Sequence, residues 1–204
     1  MSDTRYIVEE LLPSIGRSRY RYDNVPRGDG MFLRWLVEAT CRRRALEMGT
    51  ANGYSAICLG LGLEKNGGHL VTVEKCSRKS DLCRLNLQKA GLEKTVVCLT
   101  GNALNITPDL PVGFDFLFPD LPVDVRPFVQ AAMPKMSPGY VIALHNLGFA
   151  RKYRKILEFA QQNRLCVNKV NITGGYGFFV ISDGEPGVDF SLFPEAAADT
   201  TACS

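Results

Sequence analysis

Two rhythms of apolar and polar positions take turns along this chain. Short, nearly continuous apolar runs at 44–48, 69–74, 95–100, 114–118 and 140–145 read as strands. Longer stretches at 53–63, 78–90, 124–136 and 149–163 carry apolar residues at helical spacing. Ahead of the first strand, residues 4–15 and 30–41 read as two more helices; in the second, Phe32, Leu33, Leu36 and Ala39 keep a helical period. Ser77 is the expected N-cap of the helix at 78–90 and Gly91 its stop, and Ser137-Pro138-Gly139 reads as a turn. The run at 140–145 is almost wholly apolar, as a strand covered on both faces must be. Two final strands, 166–172 and 176–182, flank the glycine-containing link Thr173–Tyr176, which reads as a hairpin.

Repeated strand–helix units predict an α/β fold, a Rossmann-like, mostly parallel sheet with helices on both faces; the terminal hairpin makes the last strand antiparallel. One domain is expected over 1–183, with the helices of 1–41 as a lid or substrate region. The stretch 184–204, rich in Pro, Ala, Asp and Thr, is expected to be a flexible tail.

The chemistry concentrates at the end of the first strand. There Leu46-Glu47-Met48 runs into Gly49-Thr-Ala-Asn-Gly53, followed by Tyr54-Ser55 and an apolar helix. A strand that empties into a glycine turn and then a helix lets a ligand approach bare backbone and aims unpaired N–H groups at it. The next strand ends on an acid, Glu74, where an open α/β sheet places a carboxylate against a ribose diol. The dinucleotide fingerprint would need glycine at Ala51 and Tyr54, and no Lys follows Gly53 as a phosphate loop requires. A nucleoside without phosphates is the better fit.

The segment Leu46–Ser55 resembles the first motif of class I S-adenosylmethionine-dependent methyltransferases. Its Glu-x-Gly-x-x-x-Gly-Tyr-Ser pattern is similar to the catechol and caffeoyl-CoA O-methyltransferase branch. The resemblance covers roughly residues 22–182 and implies the seven-stranded methyltransferase sheet. It also implies S-adenosylmethionine as cofactor, held by Val25, Glu47, Gly49, Gly53, Ser55, Glu74, Gly101, Asn102, Ala103 and Asp120. Of these, Gly101-Asn102-Ala103 resembles the segment beside the adenine, and the loop from Val25 to Gly30 the one covering the methionine end. The metal-dependent members bind a divalent cation through an Asp after the fourth strand and an Asp-Asn after the fifth, with a Lys three residues beyond the first Asp as base. Here Asp120 and Asn146 match, but His145 replaces the second Asp and Val123 the Lys.

Three roles are open to His145. With Asp120 and Asn146 it forms a softer metal site suited to Mn²⁺, Fe²⁺, Ni²⁺ or Zn²⁺; alone it is a general base with a fitting pKa; or it is a hydrogen-bonded strand-end residue. Asp120 would then orient His145 or the metal, or touch the methionine moiety. Asp124 reads foremost as the N-cap of its helix and Tyr176 as lining the acceptor pocket; His69 reads as a surface residue.

Composition trims the alternatives. A net charge of +3 is too small to mark a nucleic-acid binder. Basic clusters at Arg17, Arg19 and Arg21, at Arg42–Arg44, and at Arg151, Lys152, Arg154 and Lys155 nevertheless keep RNA as a secondary partner. Seven scattered cysteines without a Cys-x-x-Cys pair argue against a disulfide framework or zinc site. With no apolar run of transmembrane length, the expectation is a cytoplasmic protein acting on a small-molecule acceptor. The resemblance also admits a homodimer. The reading is S-adenosylmethionine-dependent O-methylation of a small-molecule hydroxyl. Its rivals are RNA nucleoside methylation, a degenerate regulatory protein that only binds the cofactor, and cyclisation or lyase chemistry on the sulfonium.

Overall fold

The computed structural model describes residues 3–17, 22–145, 150–172 and 177–183. Seven strands form one sheet: β1 Arg44–Met48, β2 His69–Glu74, β3 Val96–Thr100, β4 Phe114–Pro119, β5 Met136–His145, β6 Cys166–Val170 and β7 Phe178–Ser182. Their order is β3-β2-β1-β4-β5-β7-β6. Neighbours from β3 through β5 are parallel, while β7 runs antiparallel to both β5 and β6. This is the Rossmann-like sheet expected from the alternation of rhythms. The hairpin link 173–176 and the tail 184–204 lie outside the described residues.

Side-chain alternation divides the sheet into two cores. Ala45, Leu70, Phe116, Phe118, Val141, Ala143 and Phe178 point to one face. There they meet helix α2 (Arg27–Ala39), α3 (Tyr54–Lys65), α4 (Ser77–Ala90) and the helical stretch 4–16, here called α1. Leu46, Met48, Val73, Leu117, Ile142, Leu144 and Ile181 point the other way, against α5 (Ala103–Ile106), α6 (Arg126–Ala132) and α7 (Ala150–Gln162). Within α1 the ladder widens to a π-helix over Ile7–Leu11, just ahead of Pro13, which has no N–H to give to an i−4 carbonyl.

The sequence rhythm misplaces four boundaries. Helix α2 begins at Arg27 rather than 30, because extended Pro26 caps it and Asp29 then falls in its first turn. Ser77 is the first residue of α4, not its N-cap; Cys76 holds that place, and its N–H donates to the Glu74 carboxylate at 2.8 Å. Gly91 does end α4, at φ 65°. Asp124 sits one residue before the Val125 cap of α6, accepts the Arg126 N–H and pairs with the Arg126 guanidinium. The expected turn at Ser137-Pro138-Gly139 lies inside β5. Phe114 pairs with Met136 but Phe116 with Val141, so the chain bulges between them without leaving the sheet.

Helices α2 and α3 approach closely because α3 carries glycine where they touch. A Cβ on Gly62 would lie 2.8 Å from the Arg34 carbonyl oxygen, and one on Gly30 would lie 2.9 Å from the Tyr54 ring. Alanine for glycine inside a helix ordinarily adds about 1 kcal/mol of stability. For Gly62→Ala we expect the opposite sign, a loss of about 1–2 kcal/mol from overpacking. Urea unfolding checks it: a raised midpoint would mean that this helix pair is not so tightly set.

Candidate cofactor and acceptor site

Strand order reverses between β1 and β4, and ligands of open α/β sheets bind outside the carboxyl ends of the strands at such a switch point. The glycine turn leaves β1 at that position. Gly49 stands at φ 101°, Ala51 at 47° and Gly53 at 89°. A Cβ on Gly49 would lie 2.1 Å from the Asp120 carbonyl oxygen, so glycine is required both by conformation and by space. Backbone bonds fix the turn between its neighbours: Gly49 N–H to Val73 O at 2.9 Å, and Asp120 N–H to Met48 O at 2.9 Å. Gly53 packs over Cys83 of α4, whose sulfur would be 2.9 Å from an added Cβ.

Glu74 ends β2 beside this turn and anchors it. One carboxylate oxygen accepts the Ala51 N–H at 2.9 Å and the other the Cys76 N–H at 2.8 Å. Each oxygen keeps a second lone pair for a hydroxyl donor. Ala51 is a non-glycine residue held at positive φ, a strained conformation placed where the site is formed. Gly101 donates to the Glu74 carbonyl at 2.8 Å, and the Asn102 side chain caps α5 through the Leu104 N–H. That brings Gly101, Asn102 and buried Ala103 next to the end of β2 beside Glu74.

Glu47 lies behind the turn, not in it. It is wholly buried, and its carboxylate accepts the Thr72 hydroxyl at 2.6 Å; Thr72 in turn bonds Thr50 of the turn. Burial pushes the Glu47 carboxyl up to about 8, against the pull of hydrogen bonds from Ser55 and Thr72 and with help from the nearby Asp120 charge. Ser55 is therefore a second support of this acid. Val25 is buried in the core between α1 and α2.

On the acceptor side, alternation along β5 turns His145 to the same face as Ala143 and Val141. Its Nε2 lies 2.8 Å from Asp29 Oδ2, and its Nδ1 faces Asp120 Oδ1 at 3.6 Å. Burial alone would depress the imidazole; the bonds to Asp120 and Asp29 outweigh it and hold the group up at about 9. The ring packs against Phe178, centroids 5.1 Å apart, and Phe178 packs on Phe32 and Phe118. His145 has 2% of its side chain exposed against 15% for Asp120, so Asp120 is the member that faces outward.

Sequence reading missed Asp29. It stands in a stretch noted only for its loop, and its burial became visible only once α2 was seen to begin at Arg27. Asn146 and Tyr176 lie outside the described residues. Val123 is half exposed, and Arg42–Arg44 gather where β1 begins, at the opposite end of the strands from the site. His69 is exposed at the start of β2.

The divalent cation that the resemblance implies does not suit the side chains brought together here. Both ring nitrogens of His145 already face carboxylates. Among the described residues no group of three or more His, Cys, Asp or Glu is arranged to hold a metal.

Residues 46–147 match the family model described as a methyltransferase domain, half of the chain. The chain belongs to the methyltransferase domain family. It is 36% identical over 120 residues to a catechol O-methyltransferase of Mycobacterium tuberculosis, covering 58% of this chain and 54% of that protein. To a catechol O-methyltransferase of Niastella koreensis it is 30% identical over 154 residues, covering 72% and 65%. The chain thus spans less than two thirds of these curated relatives. The crystal structure of an O-methyltransferase from Bacillus cereus in complex with SAH superposes with a TM-score of 0.73 at 28% identity, covering 85% of this chain and 89% of that one.

Within this methyltransferase domain Glu47 binds a proton more readily folded than unfolded, its value rising from 4.5 to about 8. Stability should therefore fall as pH rises across that interval, with a slope of at most about 1.4 kcal/mol per pH unit. Above the ordinary histidine value of 6.5, His145 adds loss in the same direction up to about 9. Glu47→Gln is expected to flatten the lower part of this slope, between roughly pH 5 and 6.5. Denaturant unfolding across the range checks it; a wild-type protein gaining stability there would refute the buried-acid assignment.

Proposed function

We propose that this methyltransferase domain moves a methyl group from S-adenosylmethionine to the hydroxyl oxygen of a small molecule. The observation that carries the reading is the Glu74 carboxylate, tied by two backbone N–H groups to the glycine turn at the switch point, with lone pairs left for a ribose diol. The relatives named as catechol O-methyltransferases, and the neighbour that holds SAH, support both the cofactor and the oxygen acceptor.

In this reading Gly49 and Gly53 shape the turn whose backbone meets the cofactor, Glu47 and Ser55 stiffen the turn from behind, and Gly101-Asn102-Ala103 borders the adenine. Val25 and the start of α2 close over the methionine end, which makes the N-terminal helices a lid. The sulfonium is already electrophilic, so catalysis needs chiefly an in-line approach of the acceptor oxygen to the methyl carbon. As the new C–O bond forms and the S–C bond breaks, the hydroxyl proton passes to the Asp120 carboxylate, the more exposed acid of the pair. His145 acts through Asp120, holding it in place.

Calorimetry with S-adenosylmethionine tests the binding half; absence of heat from the wild-type protein would end the proposal. Glu74→Ala should weaken binding by about 10–100-fold, the loss of charge-assisted hydrogen bonds. For the transfer half, a panel of phenolic and aliphatic alcohols is assayed for release of the demethylated cofactor. Asp120→Ala should bind the cofactor and lose about 100-fold or more in turnover. Tight binding without turnover on any acceptor would favour a binding protein.

A further inference from the structure

The bridge Asp29–His145–Asp120 joins three elements that sequence alone keeps far apart: the first turn of α2, the end of β5 and the residue after β4. Asp29 and His145 are both buried, 2.8 Å apart, and walled from water by Phe178. One carboxylate faces each ring nitrogen: Asp29 at hydrogen-bond distance from Nε2, and Asp120 at ion-pair distance, 3.6 Å, from Nδ1. A histidine held this way has both ring nitrogens turned toward carboxylates rather than toward an open position for a metal ion. It does to the neighbouring carboxylate what a bound cation would do: it fixes the oxygens in place and balances their charge.

We propose that His145 stands in place of a divalent cation, locking Asp120 for the acceptor through a bridge whose far end, Asp29, is a positioning residue of the transfer. The inference rests on the reading of Asp120 as the group that receives the acceptor's proton. It assigns a role to Asp29 and makes the reaction independent of added metal.

Two histidines, His69 and His145, make the test direct. The full chain is labelled with ¹⁵N-histidine, His69→Gln assigns the spectrum, and MnCl₂ is added without cofactor. The expected result is that His145 broadens no more than exposed His69 at molar excess of Mn²⁺. Selective broadening of His145 at one equivalent, abolished by Asp120→Ala, would overturn the proposal. Asp29→Asn keeps the shape and removes the charge. It should shift the His145 ring signals, leave S-adenosylmethionine affinity within about twofold and lower kcat about tenfold with little change in the acceptor KM. Unchanged His145 signals in that variant would also overturn the bridge. EDTA should leave wild-type turnover unaltered, and its abolition by EDTA with recovery on Mn²⁺ would count against the proposal. The Mn²⁺ titration needs no variant and no acceptor. It can therefore fail while cofactor binding succeeds, and it stands even if the proposed activity does not.

Discussion

Everything at the carboxyl ends of the strands depends on how closely the turn after β1 approaches β4. At Gly49 the backbone has no room for one more carbon: an added Cβ would sit 2.1 Å from the Asp120 carbonyl. That contact fixes Asp120 relative to the turn, and the bond from Asp120 N–H to Met48 O fixes it relative to the strand. A crevice forms because the sheet reverses its order there, so the chain leaving β1 heads to one side and the chain leaving β4 to the other. Glu74 holds the far side of the turn and Asp120 the near side. The spacing of Glu74 and Asp120 across the turn is thus set by backbone, not by flexible side chains.

Charge is arranged around that frame with equal economy. Three acids and one imidazole lie together: Glu47, Asp29, Asp120 and His145. If all three acids were ionised, burial would destabilise them severely. Instead Glu47, pushed up to about 8, is largely protonated at neutral pH and bonded by Thr72 at one oxygen. Asp29 and Asp120 face the two nitrogens of the imidazole and hold it up at about 9 against the effect of burial. Neutral Glu47 also explains how an acid can serve as a buried strut under a glycine turn without a cation beside it.

Much of this was legible in the sequence. Strands and helices could be read from periodicity because the central strands β1 and β4 are buried on both faces and helices such as α2 present one apolar stripe. The glycine turn and Glu74 could be read because their spacing is fixed by the fold. What escaped were features decided by tertiary contact. The bulge in β5 looks like a turn because Ser137-Pro138-Gly139 has turn chemistry, yet pairing on both sides keeps it in the sheet. Ser77 looks like a cap, but the Glu74 carboxylate takes over by binding the Cys76 N–H. Asp29 carries no local signal at all. An acid in the first turn of a helix is ordinarily a solvated partner of the helix dipole, and only the packing of α2 across the sheet turns it toward His145. His145 stands out in the sequence as a departure from the expected acid. No sequence signal shows that its two ring nitrogens face Asp29 and Asp120.

Helix packing and the polar bridge are therefore parts of one device. Asp29 reaches His145 only if α2 lies low over β5, and α2 lies low because α3 offers glycine where the two helices meet. Gly62 admits the Arg34 carbonyl, and Gly30 of α2 itself admits the Tyr54 ring. Tyr54 follows Gly53 directly, so the same residue that sets the height of α2 begins the helix leaving the cofactor turn. A shift of a few tenths of an ångström at that contact would lengthen a 2.8 Å hydrogen bond into a weaker one and free the imidazole to turn. The glycine turn, α2 and Asp120 are consequently coupled through packed atoms, and the tightness of an apolar helix contact governs how firmly His145 is held beside Asp120.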